Sequence, residues 1–291
     1  MGLETGILFA FLALIFWGFG DFLIQKSTRK FGDWETLFII SIFGTIILSP
    51  FIYKDLVSLF SFNKEFWILL GVSAIILFAA ILDFEALKKG KLAIIEPVLA
   101  LEVPVSVVLA VIIIKENLSL INLILISLIV IGLSLIGIKS YHLSKKRWIE
   151  KGVFLGVLGS IFMGATNFFV GFASRITSPL LTNWFIDIFL TLICLIYLLF
   201  ARKLRKLVKD IKNNKKLLFT VSTLDNGAWV FFAISATLAP IAIVVALSES
   251  YIALAVLLGL FINKEKLMTH QKIGLVISFI SVIILAILAS G

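Results

Sequence analysis

One cysteine, two histidines and five prolines are all that 291 residues hold of three chemically telling side chains. The lone Cys194 excludes an intrachain disulfide and any cysteine-based metal site. His142 and His270 fall in connections between apolar runs, without a neighbouring ligand set, and are expected at the surface. No phosphate loop, nucleophile elbow or zinc motif occurs, so neither ATP-driven transport nor hydrolysis within a membrane has support, and no cofactor or resident metal is expected. Charge is scarce as well, at 15% against about 25% in soluble domains. Positive charge is scarcest inside the apolar runs: Lys115, Arg175 and Lys272 stand at run ends, and no Lys or Arg lies deeper in one.

Apolar side chains make up 61% of the chain and mean hydropathy is +1.15, which identifies an all-α integral membrane protein. Runs long enough to cross about 30 Å of hydrocarbon recur ten times. They lie near residues 5–25, 34–53, 66–87, 92–114, 119–138, 152–173, 179–200, 217–238, 241–262 and 271–289. Their continuity favours helices over barrel strands, whose lumen-facing positions would alternate with apolar ones.

The net charge of +9 does not point to nucleic acid, because of where it sits. Of 26 Lys and Arg residues, 22 fall in the odd-numbered connections and four, Lys54, Lys64, Lys115 and Arg175, in the even ones. This bias places the odd connections in the cytoplasm and both termini outside a cell (plasma) membrane. The longest connection, residues 201–216, spaces Leu204, Leu207, Val208 and Ile211 helically among eight basic residues. It is expected to lie as an amphipathic helix on anionic lipid headgroups.

The chain also contains its first half twice. Gly6 to Leu23 aligns without a gap on Gly152 to Phe169, pairing Gly18 with Gly164 and Asp21 with its isostere Asn167. Later, Ile112 to Leu118 (IIIKENL) lines up with Phe261 to Leu267 (FINKEKL). Two repeats follow, 1–140 and 152–291, with 141–151 as a cytoplasmic connection. Five crossings per repeat, an odd number, would invert one repeat against the other, an architecture suited to alternating access.

An acid near the bilayer centre costs at least about 2.5–3.5 kcal/mol, so each is a functional candidate. Glu102, Asp187, Asp225 and Glu249 lie deep in the fourth, seventh, eighth and ninth runs, and Glu96 lies about one turn from an end of the fourth. Asp83 and Glu85, beside Lys88, Lys89 and Lys91, are expected to form interfacial ion pairs. Asn183, Asp187 and Thr191 recur at steps of four and make one polar stripe. Trp17, Asp21 and Gln25 share a face of the first run, Asp225 shares one with Trp229, and Tyr251 ends a polar stretch in the ninth. In the sixth, Ser160, Gly164, Asn167, Gly171 and Ser174 form either a packing seam or a cavity lining. Without basic partners the deep acids must be protonated, hydrogen-bonded or neutralised by a proton, Na⁺ or cationic substrate from solution. Pro97 and Pro104 each withhold a backbone donor, so the fourth helix is expected to bend or unwind there.

The FWGFGDF stretch at Phe16 to Phe22, the segment Ala86 to Pro97 leading to Pro104, the KEN at Lys115 to Asn117 followed by IGLSL at Ile131 to Leu135, and the second-copy KEK at Lys264 to Lys266 resemble the EamA family of the drug/metabolite transporter superfamily. The resemblance covers nearly the whole chain as two modules. It implies ten transmembrane helices in two inverted five-helix repeats, with the fifth and tenth outside a central cavity formed by the others. Members often keep both termini in the cytoplasm, from which the charge bias here departs.

The function expected is secondary active transport of small polar metabolites, an exporter of amino acids or amines, with H⁺ or Na⁺ as candidate coupling ion and a monomer or homodimer as the unit. A sugar or nucleoside carrier using Asn183, Asn226, Trp184 and Trp229 is the alternative within transport. A lipid-handling or assembly protein is the alternative outside it.

Overall fold

Backbone amides in hydrocarbon must bond within their own segment, so runs this apolar can only coil. The computed structural model describes residues 2–53, 63–89, 98–137, 151–254 and 268–290, and among them every regular element is an α-helix. The first repeat supplies α1 (Leu3–Phe31), α2 (Asp33–Ile52), α3 (Lys64–Lys89), α4 (Glu102–Ile113) and α5 (Leu120–Gly137). The second supplies α6 (Lys151–Ile176), α7 (Pro179–Phe200), α8 (Leu204–Asn213), α9 (Lys215–Leu238), α10 (Ile241–Ser248) and α11 (Thr269–Ser290).

Seven of these, α1, α2, α3, α6, α7, α9 and α11, are long and apolar enough to cross a membrane. The places of the fourth, fifth and ninth expected runs hold shorter apolar helices, Glu102–Ile113, Leu120–Ile136 and Ile241–Leu254. Much of the exterior is apolar, with Ile112, Leu120 and Phe200 among many exposed large side chains, a surface suited to lipid.

Several boundaries have local causes. The helix α1 continues past Gln25 through three basic residues and stops at Gly32, whose φ of +115° suits glycine and whose N–H donates to Thr28 O at 2.9 Å. Pro179 opens α7 behind Ser178, whose hydroxyl accepts from the Leu181 N–H at 3.2 Å. Pro240 immediately precedes α10. The expected amphipathic helix is α8, but its stripe is turned inward: Leu207 is buried and Leu204 and Ile211 pack on the core, leaving Val208 exposed. His270, expected at the surface, is buried near the start of α11.

The principal helix pairs cross between repeats: α1 on α9, α3 on α6, α2 on α7, α5 on α11, and α4 on α6 and α10. Exchanging the repeats maps α1·α9 onto α6·α3 and returns α2·α7 and α5·α11 to themselves, as a pseudo-two-fold requires. A residue of α1 or α2 finds its counterpart 146 positions on, and one of α3 or α4 finds it 149 on, the separation of Lys115 from Lys264. Contacts obey these shifts. Thr45 touches its own counterpart Thr191 at 3.4 Å. A side chain on Gly18 would meet Leu254, and one on its counterpart Gly164 would meet Val105, the counterpart of Leu254. In α5 and α11, Gly132 and Gly274 each admit the other's carbonyl: a Cβ would lie 2.8 Å and 2.5 Å from it, respectively.

Candidate functional site

Two helices break at matching points. Val98 and Leu99 are helical, Ala100 and Leu101 form a turn, and α4 begins at Glu102. In the other repeat α10 ends at Ser248, Glu249 and Ser250 form the turn, and helix resumes at Tyr251. The turns are counterparts. Pro104 explains the first, since it has no N–H to give the Ala100 carbonyl. No proline adjoins the second. There the Ser250 N–H reaches back only three residues, to Leu247 O at 3.2 Å, and Ala253 does the same to Ser250 O at 3.0 Å. Glu96 and Pro97 lie outside the described residues.

Between these breaks lies a cavity of about 90 Å³ on the pseudo-two-fold. Counterparts line it from both sides: Trp17 with Met163, Asp21 with Asn167, and Ser41 with Asp187. Leu37 with Asn183, Ile40 with Ile186, Ile76 with Asp225, Ala80 with Trp229, and Glu102 with Tyr251 complete the set. Asn226 and Glu249 also reach it. It therefore gathers Glu102, Asp187, Asp225, Glu249, Asn183, Trp17, Asp21, Asn167, Trp229 and Tyr251 from six helical segments.

Asp83 joins them, which corrects its expected place in a surface ion pair. Glu85 alone of that couple is so engaged, with Lys89 and, at 3.1 Å, with Lys88, which also reaches Asp33 at 3.1 Å. Asp83 faces inward, and its Oδ1 is buried with no hydrogen-bond partner among the described residues. The helical step explains the difference. Residues 76, 80 and 83 share the cavity face of α3, whereas Glu85 is turned away from it toward the lysines.

The polar contacts run between repeats. Asn167 Nδ2 donates to Glu249 Oε1 at 2.9 Å and approaches Glu102 Oε2 at 3.5 Å. The counterpart interaction joins the Tyr251 hydroxyl to the Asp21 carboxyl. In α7, Thr191 donates to Ser41 at 3.0 Å and Asn183 Nδ2 to Pro179 O at 2.8 Å. Trp17 meets Trp229 edge-on at 5.1 Å and Tyr251 at 6.4 Å, forming an aromatic wall. The sixth-run face serves both expected roles: Gly164 and Gly171 let neighbours close in, whereas Asn167 lines the cavity.

Farther along, Arg175 donates to Ala236 O at 2.7 Å, Ala239 O at 2.8 Å and Glu116 Oε1 at 3.0 Å. Glu116 in turn accepts the first free N–H groups of α10, from Ile241 at 2.7 Å and Ala242 at 3.0 Å. The KEN motif thus clasps one repeat to the other. At the opposite, basic end, Lys203 pairs with Glu35 at 3.0 Å, and this hydrogen bond, against some cost of burial, raises the lysine pKa.

Comparison with known proteins agrees with the two-repeat layout. The sequence model of the EamA-like transporter family matches twice, over residues 4–138 and 150–287. No protein of curated function matches the chain. A solved structure titled only as the crystal structure of a protein superposes with a TM-score of 0.73 over 98% of this chain and 96% of its own, at 14% identity, a likeness of fold alone.

Proposed function

This chain belongs to the EamA-like transporter family and is a multi-pass membrane transporter, and from that premise we propose that it exports small polar metabolites, amines or amino acids, by alternating access. The observation that carries the reading is the cavity itself: six carboxyl-bearing side chains between two repeats, with no Lys, Arg or His among its described lining. A space of about 90 Å³ holds only a few waters, so a metabolite enters when the repeats part. The matched breaks in the fourth and ninth helical segments supply the joints, and the two inverted five-helix repeats, 1–140 and 152–291, supply the moving bodies. Both termini face outward across the cell membrane, and the basic face of α8 meets anionic headgroups.

Coupling resides in the deep acids, with H⁺ favoured over Na⁺. Each carboxyl held from water takes up a proton when no cation neutralises it, and releases that proton when one arrives. Asp187, which receives no hydrogen bond from any described residue, is the foremost exchange site. Support for a sugar is weaker. The amide groups of Asn183 and Asn226 donate to backbone carbonyls, and Trp184 gives its N–H to Ser49 at 2.9 Å.

The test is counterflow and net flux in proteoliposomes at mildly acidic and neutral pH. With Asp187→Asn, pH-driven accumulation falls to the level of a dissipated gradient while exchange persists. Unchanged pH-driven flux in that variant would remove Asp187 from the mechanism.

A further inference from the structure

The balance of donors and acceptors restricts which metabolite fits. Asn226 Nδ2 gives its two hydrogens to Ile40 O at 3.0 Å and Ser222 O at 2.9 Å. The amide is thereby fixed in orientation and its Oδ1 is left facing the cavity. That oxygen and Asp187 Oδ2 converge on the space that a side chain on Gly44 would fill. Two acceptors meet there, with no donor between them among the described residues. Asp187 is 9% exposed, lines the cavity, and has Asp225 as a like-charged neighbour.

A second group of acceptors lies beyond the aromatic wall. Asp21, Asp83, Glu102 and Glu249 sit within electrostatic range of one another. Against them stand the Asn167 amide and the Tyr251 hydroxyl. Among the described residues no three of these groups close up tightly enough to hold a metal ion. A zwitterion would bring a carboxylate into a cavity whose described lining offers it no cation, and a sugar would bring more acceptors. An ammonium carries three donors and no acceptor. It complements both places, and Trp17 and Trp229 can face the chain between them.

We propose, on the transport reading above, that the occupant is a slender organic dication, a linear diamine with one ammonium at the Asp187–Asn226 oxygen pair and the other among Asp21, Glu102 and Glu249.

The experiment measures thermal stabilisation and proteoliposome flux with 1,4-diaminobutane, 1,5-diaminopentane, 1,8-diaminooctane, n-butylamine and alanine. One diamine length is expected to bind at least ~10-fold more tightly than n-butylamine, the ratio that losing one charge-assisted hydrogen-bonded end implies. Alanine is expected to be inert. Asp187→Asn should bring the diamine down to the n-butylamine level. The length series on the unaltered protein decides the matter if that variant folds poorly. Equal binding of diamine and monoamine, or flux of alanine with the diamines inert, would overturn the dication while leaving the transporter intact. A protein that neither binds nor moves any of these compounds, nor any other soluble metabolite, would overturn both.

Discussion

The two repeats share a scaffold and divide the chemistry. Counterpart helices pair alike, break alike and use glycine at the same seam, yet no acid in the cavity has an acidic counterpart. Asp21 faces Asn167, Glu102 faces Tyr251, Asp187 corresponds to Ser41 and Asp225 to Ile76. Glu249 corresponds to Ala100, and Asp83 to Phe232. Doubling the scaffold delivers two equivalent ends to a cavity. Doubling the acids as well would put like charges across the axis at short range, where repulsion in a low dielectric is severe. Each repeat supplies three of the six, and the second supplies all three lining amides.

This comparison can be broken most forcefully at Asn167. Asn167→Asp makes one counterpart pair acidic on both sides and removes the donor held between Glu102 and Glu249. Flux should fall by about 10- to 100-fold, matching the 1–3 kcal/mol that a lost buried hydrogen bond costs. The exchange Asp21→Asn with Asn167→Asp restores one acid per pair and should recover part of it. A double variant no better than the single one would show that the repeats are not interchangeable there.

The packing seams offer a sharper, smaller contrast. A Cβ on Gly164 would stand 2.7 Å from both Glu102 O and Val105 Cβ, atoms that cannot swing away. On Gly18 it would meet the flexible end of Leu254 at 2.9 Å. Gly164→Ala should therefore cost about 1–3 kcal/mol, and Gly18→Ala less than about 1 kcal/mol, read as melting temperatures in one detergent. Equal losses would mean that backbone shifts absorb both.

The smallest effect is expected at the basic end. Lys203→Met removes the partner of Glu35 and a contact 5.5 Å above the Tyr197 ring. The lysine is 42% exposed, so solvent screens the pair and the loss should stay below about 1 kcal/mol. Because folding raises the Lys203 pKa, the pair contributes fully at neutral pH and fades only as alkali strips that proton. Wild type and variant should thus converge in melting temperature at high pH.

Much of this was legible in the chain. Period and hydropathy identify helices, and the aligned stretches predict the two-repeat layout that the family match bears out. Ten deep or aromatic residues picked for burial and polarity do reach one cavity, because a polar stripe in an apolar helix has nowhere else to point. What stayed hidden depended on the partner across the gap. Asp83 looked like a neighbour of three lysines, and only the turn of α3 separates it from Glu85. Asn226 figured only as an amide for a sugar, since nothing along the chain reveals that Ile40 takes its hydrogen. The clasp of Glu116 and Arg175 joins residues 59 apart, and neither the KEN motif nor an arginine at a run end reveals that the two meet. His270 is buried by packing that no local pattern encodes.

Pairing across repeats also imposes a timetable on synthesis. The helix α1 finds its main partner in α9, which is complete only at Leu238, and α3 waits for α6. At roughly 5–20 residues per second, α1 leaves the ribosome about 10–40 s before that partner exists. For that interval the newborn first half carries Asp21, Asp83 and Glu102 into the bilayer before Asn167 and Tyr251 have been made.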